Sequence, residues 1–212
     1  ELSQGIKKNK DLKITQLSYD KKFKGGEKVG KLQLKKFLNE TGQTYSKDIS
    51  SPLTAPTSCS RLSSYITYGN LSMRYIVNET KKKQIDLRKQ KSRDGWLGSL
   101  AAFSSRLRWH CHFIQKLEMQ PSLENTNMVR SFDQIRTNPN MEFFKCWSKG
   151  EVGFPMVDAC MRFLKNNGWI NFRMRAMLVS FASYNLWLDW RMTSKFLSKY
   201  FIDYEPGIHY NQ

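Results

Sequence analysis

The stretch GFPMVDACMRFLKNNGWINFRMRAMLVSFASYNLWLDWR, residues 153–191, decides the fold of this chain. Pro155 suits the first turn of a helix, and apolar residues then recur at helical spacing. Gly168 ends that helix in the usual C-terminal manner. A second apolar stripe follows over Asn171–Tyr184, and Asp189 is placed to start a last helix. The stretch therefore predicts helices that pack around a tight, tryptophan-containing corner.

The rest of the chain also has the pattern of an all-α protein, without a convincing strand or repeat. Ser50–Ser60 is rich in turn residues and predicts a loop, whereas the charge-dense Lys81–Arg93 predicts a solvated connection. We predict a lysine-rich linker or arm over residues 1–30 and a multi-helix domain over residues 31–212. Outside the first stretch, the predicted helices are Lys31–Asn39, Arg61–Tyr68, a helix capped by Ser72, Trp96–Glu118 and Met141–Lys149.

Composition narrows the class of partner. The chain has 35 Lys and Arg against 18 Asp and Glu, a formal charge of +17, which attracts polyanions such as DNA. A generally basic proteome or a missing acidic partner segment is the alternative explanation. The four cysteines lack paired spacing, which is typical of reduced thiols in an intracellular protein, cytoplasmic or nucleoid-associated. The longest mostly apolar segment, Ala176–Leu188, is too short and too polar to span a bilayer.

Two arginines lie inside an otherwise apolar helix. Arg173 and Arg175 are about 200° apart around the axis, so at least one must face a buried partner or an anionic ligand. Asp203 and Glu205 are the natural acidic candidates. A structural salt bridge and a ligand contact both remain open.

Two further clusters could carry chemistry. Cys59–Ser63 offers hydroxyls and backbone N–H groups at a helix start, which suits either phosphate binding or simple capping. Trp109–His112 does not predict a metal site, because His110 and His112 would diverge on a helix. The six tryptophans could relay electrons, stack on bases or fill a core.

These signals fall in the order of a known family. The segments SRLSSYITYGNLS (60–72), LRWHCHF (107–113), GFPMVDACMRFLKNNGWINFRMR (153–175) and DYEPGIHY (203–210) resemble the flavin-binding domain of the cryptochrome/photolyase family. The resemblance runs from about Gly25 to the end. It implies an α-helical domain that holds FAD in a folded, U-shaped conformation. In photolyases, photoexcited reduced flavin gives an electron to a pyrimidine dimer flipped out of DNA. In cryptochromes, light changes the flavin redox state and alters signalling.

The resemblance also implies roles for residues. Cofactor contacts would include phosphate contacts from Tyr45, Ser60, Arg61, Leu62 and Ser63, and further contacts from His110 and Phe172. The salt bridge Arg175–Asp203 would lie beside the isoalloxazine ring. Glu205 would lie near the polar edge of that ring, and His209 near flavin N5. Trp190 would be the middle tryptophan of the electron relay, and Arg106 and Trp109 would contact DNA.

Four positions depart from the pattern of repair enzymes. Arg106 replaces a glutamate that hydrogen-bonds damaged bases, and Phe172 replaces a flavin-contacting asparagine. His209 takes the place of an asparagine at N5, and Thr137 lies near the expected outer tryptophan. These departures point to a divergent branch with altered redox tuning.

The resemblance further implies a partial domain. The N-terminal α/β antenna domain is absent, Glu1 rather than Met begins the chain, and Gln212 ends it where the flavin-proximal tryptophan should follow. We therefore expect this chain alone to bind FAD weakly or not at all. The leading hypothesis is a monomeric fragment of a photolyase-like flavoprotein that acts on DNA with a flipped base pair. The alternatives are a cryptochrome-type photoreceptor without repair activity, and a remnant that binds nucleic acid through charge alone.

Overall fold

The computed structural model describes residues 23–211, and within this range the chain folds into helices without a strand. The prediction of an all-α fold is confirmed for this range. None of its helices is both long enough and apolar enough to cross a membrane. The α-helices are α1 (Glu27–Asn39), α2 (Tyr45–Asp48), α3 (Ala55–Ser58), α4 (Ser63–Thr67), α5 (Met73–Lys89), α6 (Trp96–Met119), α7 (Met141–Lys149), α8 (Pro155–Asn167), α9 (Phe172–Ser180), α10 (Trp190–Ser198) and α11 (Pro206–Tyr210).

The core consists of two hydrophobic clusters that meet at Phe163. The first cluster packs α1, α5 and α6 together around fully buried side chains such as Phe37 and Leu100. The second packs α7–α10 around Trp147, whose indole N–H donates to the carbonyl of Leu178 at 3.2 Å. Phe163 on α8 packs against both clusters, so the two halves share one interior.

The stretch 153–191 folds largely as predicted. Pro155 opens α8, and Gly168 ends it in the left-handed conformation at φ +66°. After the corner, α9 ends at Ser180 and continues as a π-helical turn over Phe181–Asn185. Trp187 then adopts φ +55°, an uncommon backbone conformation for a large side chain. The wide turn and this left-handed residue together redirect the chain into α10.

Several predicted boundaries are wrong. The predicted connection Lys81–Arg93 is helical up to Lys89, because Thr80, Gln84 and Leu87 keep a buried face while the cations point outward. The predicted loop Ser50–Ser60 contains the short helix α3.

The two ends of the domain also differ from the prediction. Helix α1 begins at Glu27, inside the predicted linker, whereas residues 1–22 of that linker lie outside the described range. The helix predicted to be last is followed by α11. Glu205 makes this extra helix possible, because its carboxylate accepts hydrogen bonds from the backbone N–H groups of Gly207 and Ile208.

Candidate functional site

Arg175 and Asp203 form the charged centre of the candidate site. The Arg175 side chain leaves α9, and its Nη2 donates to both carboxylate oxygens of Asp203 at 2.8 and 2.7 Å. Its Nε donates to the carbonyl of Ile170, and its guanidinium lies 4.1 Å from the centre of the Phe201 ring. The two side chains are only 12% and 3% exposed. The prediction that one helix arginine faces a buried partner is confirmed, whereas Arg173 is exposed.

Arg61 brings a second cation close to this pair. It adopts φ +56° just before α4, and its guanidinium stacks 3.8 Å from the centre of the Trp169 ring. Burial lowers the pKa of Arg61, while the nearby charge of Asp203 opposes that shift. Among residues 23–211, no carboxylate lies within ion-pair distance of Arg61. Two guanidinium groups around one carboxylate leave an excess of positive charge, which suits an anionic ligand.

The other residues of the predicted phosphate segment lie beside Arg61. Ser60 and Ser63 are half-buried, and the Ser60 carbonyl accepts a hydrogen bond from Gln33 Nε2 at 3.0 Å. Leu62 is buried and belongs to the first core cluster. The segment is therefore anchored from α1 and from the core, while its hydroxyls stay near the surface.

His209 and Glu205 reach the site from α11. His209 Nε2 lies 3.0 Å from the Ser194 carbonyl, which can only accept, so Nε2 carries the proton and Nδ1 is an acceptor. Burial lowers the pKa of His209 and favours the neutral imidazole. Three aromatic rings surround it, those of Phe201, Tyr204 and Tyr210. Both carboxylate oxygens of Glu205 are engaged in capping α11.

Two buried polar atoms near the packed helices α6 and α11 have no hydrogen-bond partner within the described range. These atoms are His110 Nδ1 and Asn211 Oδ1. Asn211 is held by the donation of its Nδ2 to the Phe113 carbonyl at 3.0 Å. Burial lowers the pKa of His110, although the charge of Glu205 acts in the opposite direction. Buried polar groups are normally paired, so these two atoms have hydrogen-bonding capacity that no described residue uses.

A cavity of about 210 Å³ opens beside the charged centre and brings Arg175, Trp190 and His209 together. It is smaller than the roughly 300–1,000 Å³ of pockets that enclose a whole ligand. The predicted phosphate segment and Glu205 are not among its lining residues. The cavity can therefore hold only a part of a dinucleotide.

Trp190 is fixed in this cavity by a contact that spacing could not reveal. Its indole N–H donates to Asn127 Oδ1 at 2.8 Å, and Asn127 in turn donates to Asp133 through its backbone and its side chain. Arg191 holds the same loop by donating to the Asp133 carbonyl at 3.0 Å. Asn127 and Trp190 are 63 residues apart, and nothing in the sequence around Asn127 signals the contact.

The remaining predicted residues lie outside the charged centre. Tyr45 is buried between Phe37 and Phe103, so its ring packs in the first core cluster. Phe172 is exposed at the start of α9. Tyr45 thus belongs to the core and Phe172 to the surface, and the contact of each with a cofactor stays a prediction.

Arg106 and Trp109 form a surface pair on α6. The Arg106 guanidinium lies 4.5 Å from the centre of the Trp109 ring, and Trp109 is 47% exposed. In the connection between α6 and α7, Thr137 is exposed, while the guanidinium of its neighbour Arg136 lies 4.4 Å from the centre of a Trp187 ring. Arg106 and Trp109, the two predicted DNA contacts, thus lie next to each other on the surface of α6.

Fold and site together define a helical flavoprotein domain. A family model described as the FAD binding domain of DNA photolyase matches residues 103–212, slightly more than half of the chain. The chain belongs to this cryptochrome/photolyase family, and FAD is the cofactor of its domain. The residues present fit this cofactor, because the guanidinium groups of Arg61 and Arg175 suit its phosphates and the unpaired buried atoms suit its polar groups.

Particular relatives support the same assignment. The chain is 28% identical over 150 residues to the deoxyribodipyrimidine photo-lyase of Alkalihalophilus pseudofirmus, which covers 71% of this chain and 29% of that protein. It is 28% identical over 155 residues to the Escherichia coli photo-lyase, with 73% and 31% covered. The chain therefore spans about 30% of the length of these curated relatives.

Solved structures share the fold over nearly the whole chain. A bacterial class III photolyase from Agrobacterium tumefaciens superposes with a TM-score of 0.83 and 25% identity, which covers 97% of this chain and 42% of that one. A Synechocystis cryptochrome gives a TM-score of 0.80 at 24% identity, over 93% of this chain and 40% of that one. The second similarity concerns the fold alone.

Proposed function

We propose that this chain is the FAD-binding part of a photolyase-like flavoprotein whose light-driven electron transfer acts on DNA with pyrimidine photolesions. The observation that carries the proposal is the buried Arg175–Asp203 pair beside a cavity that His209 and Trp190 also line. The photo-lyase names of the relatives support DNA as the substrate. We place the protein inside the cell, as a monomer, with the antenna domain and the rest of the domain contributed by a longer protein.

The residues divide by chemistry into anion-binding and ring-contacting groups. Arg61, with the hydroxyls of Ser60 and Ser63, would hold the phosphates, because its charge lacks a carboxylate partner in the described range. Arg175 and Asp203 would lie at the isoalloxazine ring, which supplies light absorption and electron transfer when FAD is bound. Their mutual hydrogen bonds fix the guanidinium in place, so the field at the ring does not depend on solvent.

The protonation state of His209 suits a hydrogen-bonded contact with the flavin. Its Nε2–H is already donated to Ser194, so Nδ1 is left as an acceptor. At this position His209 would offer a hydrogen-bond acceptor to an N–H group of the ring. The asparagine found in most photolyases at this place can donate or accept a hydrogen bond. The histidine would only accept one from the flavin, because its N–H is already donated to Ser194.

DNA would be contacted by the Arg106–Trp109 pair. The exposed Trp109 ring can stack on a flipped base, an interaction worth about 1–3 kcal/mol per base. Arg106 would contribute charge toward phosphates, and the formal charge of +17 would promote association.

The test is the visible absorption spectrum of the purified chain with and without added FAD, before and after blue illumination under reductant. A structured flavin band that changes on illumination supports the proposal, and a dimer-containing oligonucleotide should then lose its dimer only in light. The Asp203→Ala variant should lose the band, whereas the variant Glu118→Ala, an exposed carboxylate on α6, should keep it. Because free FAD also absorbs visible light, bound flavin is measured after gel filtration, and equal flavin retention in Asp203→Ala and Glu118→Ala would contradict the proposed site. Stoichiometric flavin after purification would contradict only the expectation of weak binding.

A cryptochrome-type photoreceptor is the second candidate. It is favoured by Arg106, which lies over Trp109 where repair enzymes carry a glutamate for the damaged bases. Light-dependent changes of the flavin band without dimer reversal would select this candidate. Restoring the glutamate with Arg106→Glu should then not produce repair.

A further inference from the structure

Helices α1 and α5 form a strongly basic face that the proposed flavin chemistry does not use. Together they carry ten lysines and arginines against three carboxylates. Only two of these cations make ion pairs among residues 23–211, Lys31 with Glu27 and Lys82 with Glu79. Most of the positive charge on this face therefore has no internal partner.

The two helices lie side by side and run in the same direction. Lys31 Nζ lies 5.3 Å from the centre of the Tyr75 ring, and further along Lys83 Nζ donates to Asn39 Oδ1 at 2.9 Å. Between them runs a groove of about 470 Å³. Its α1 side carries Lys28, Lys31 and Lys35 together with three leucines and Asn39, and its α5 side carries Tyr75 and Glu79. These three lysines span roughly 10 Å along one face of the helix. The charges are thus arranged in a row along a groove.

The chemistry of this face narrows the type of partner. Its large exposed apolar side chains are few, chiefly Leu32 and Ile85, so it has little to insert into a membrane. Lysine is depleted at the buried centre of protein interfaces, which makes a protein partner a poor fit. A row of three compact ammonium charges beside the groove, against the one carboxylate that Glu79 contributes to its lining, suits the regularly spaced phosphates of a nucleic acid.

We propose that the α1–α5 groove binds the phosphate backbone of double-stranded DNA, independently of sequence, lesion and flavin. This surface is separate from the Arg106–Trp109 pair, which lies near the middle of α6. Lys83 lies 5.6 Å from the ring of Trp96 at the start of α6. Trp96 and Trp109 are about 20 Å apart along that helix. The groove would hold undamaged duplex and thereby keep the protein on DNA.

The experiment measures binding of the wild-type chain to an undamaged, fluorescein-labelled 20-base-pair duplex, in the dark and without FAD. Anisotropy titrations at several NaCl concentrations give the slope of log affinity against log salt. The groove variant is Lys28→Gln/Lys31→Gln/Lys35→Gln. The matched control, Lys145→Gln/Lys195→Gln/Lys199→Gln, removes the same charge from exposed positions on α7, on α10 and just after α10. Circular dichroism verifies that both variants fold.

We expect the groove variant to lose roughly tenfold or more in affinity at about 100 mM salt. Its salt slope should become shallower by about 2–3, since each lost phosphate contact removes about 0.9. The control should keep the wild-type slope. Equal losses in the two variants would overturn the proposal, because net charge alone would then explain binding. Absence of duplex binding by the wild type, or binding only to phosphatidylserine vesicles, would overturn it too. No arm of the test involves light or flavin, so failure here leaves the photochemical proposal intact.

Discussion

At the scale of single residues, the stability of the fold depends most on the buried ion pair between Arg175 and Asp203. Asp203→Ala leaves the Arg175 guanidinium without its carboxylate in a nearly solvent-free position. We expect a loss of about 3–5 kcal/mol in the free energy of unfolding, measured by urea denaturation. The double variant Arg175→Met/Asp203→Leu should recover much of this loss, because no charge is left buried. A loss below about 1 kcal/mol in Asp203→Ala would show that water solvates the site.

Two half-buried histidines predict how stability depends on pH. Burial lowers the pKa of His110 and of His209 in the folded state, so the unfolded state binds more protons below its own pKa of about 6.5. Their contribution is therefore complete above pH 6.5 and is lost as pH falls, by up to about 1.4 kcal/mol per pH unit for each histidine. Urea denaturation between pH 8 and pH 5 should show this decline. The variant His110→Gln/His209→Asn should reduce it, whereas the exposed His112→Gln should not.

At the scale of elements, the contact between α6 and α11 depends on a glycine. A Cβ on Gly207 would lie 2.6 Å from the backbone Cα of Ile114, so Gly207→Ala must push α11 away from α6. We expect a loss of roughly 1–3 kcal/mol in the free energy of unfolding. Gly98→Ala on α6 is the control, because its Cβ would meet nothing within 4 Å and should stabilise the helix by about 1 kcal/mol. Similar effects of the two substitutions would contradict the close approach.

At the scale of the whole molecule, the predicted cofactor should couple to folding. A ligand that binds only the folded state stabilises it by about 2.7 kcal/mol at a concentration of 100 times Kd. We expect excess FAD to raise the unfolding temperature, and riboflavin, which lacks the phosphates, to raise it less. Arg61→Gln should remove most of the difference between the two ligands, whereas the exposed Arg173→Gln should preserve it. Equal shifts with FAD and riboflavin in the wild type would contradict a phosphate role for Arg61.

The sequence by itself determined the features that depend on near neighbours in the chain. Apolar spacing located α6, α7 and α8, and Ser72 and Gly168 were identified as helix ends because capping involves residues within one turn. Chemistry also indicated a buried acidic partner for an arginine, since a buried guanidinium requires one. Motif order indicated the family, which the match over residues 103–212 confirms.

Only the tertiary structure decided features that join distant parts of the chain. The charge-dense half of α5 is helical because its few apolar positions pack on the core, which local charge density concealed. Stacking of Arg61 on Trp169 and the hydrogen bond from Trp190 to Asn127 join segments more than 60 residues apart. The groove between α1 and α5 likewise exists only because the two helices lie side by side. Such contacts depend on how helices pack, and packing reflects the whole core at once, whereas spacing along the chain reports only local geometry.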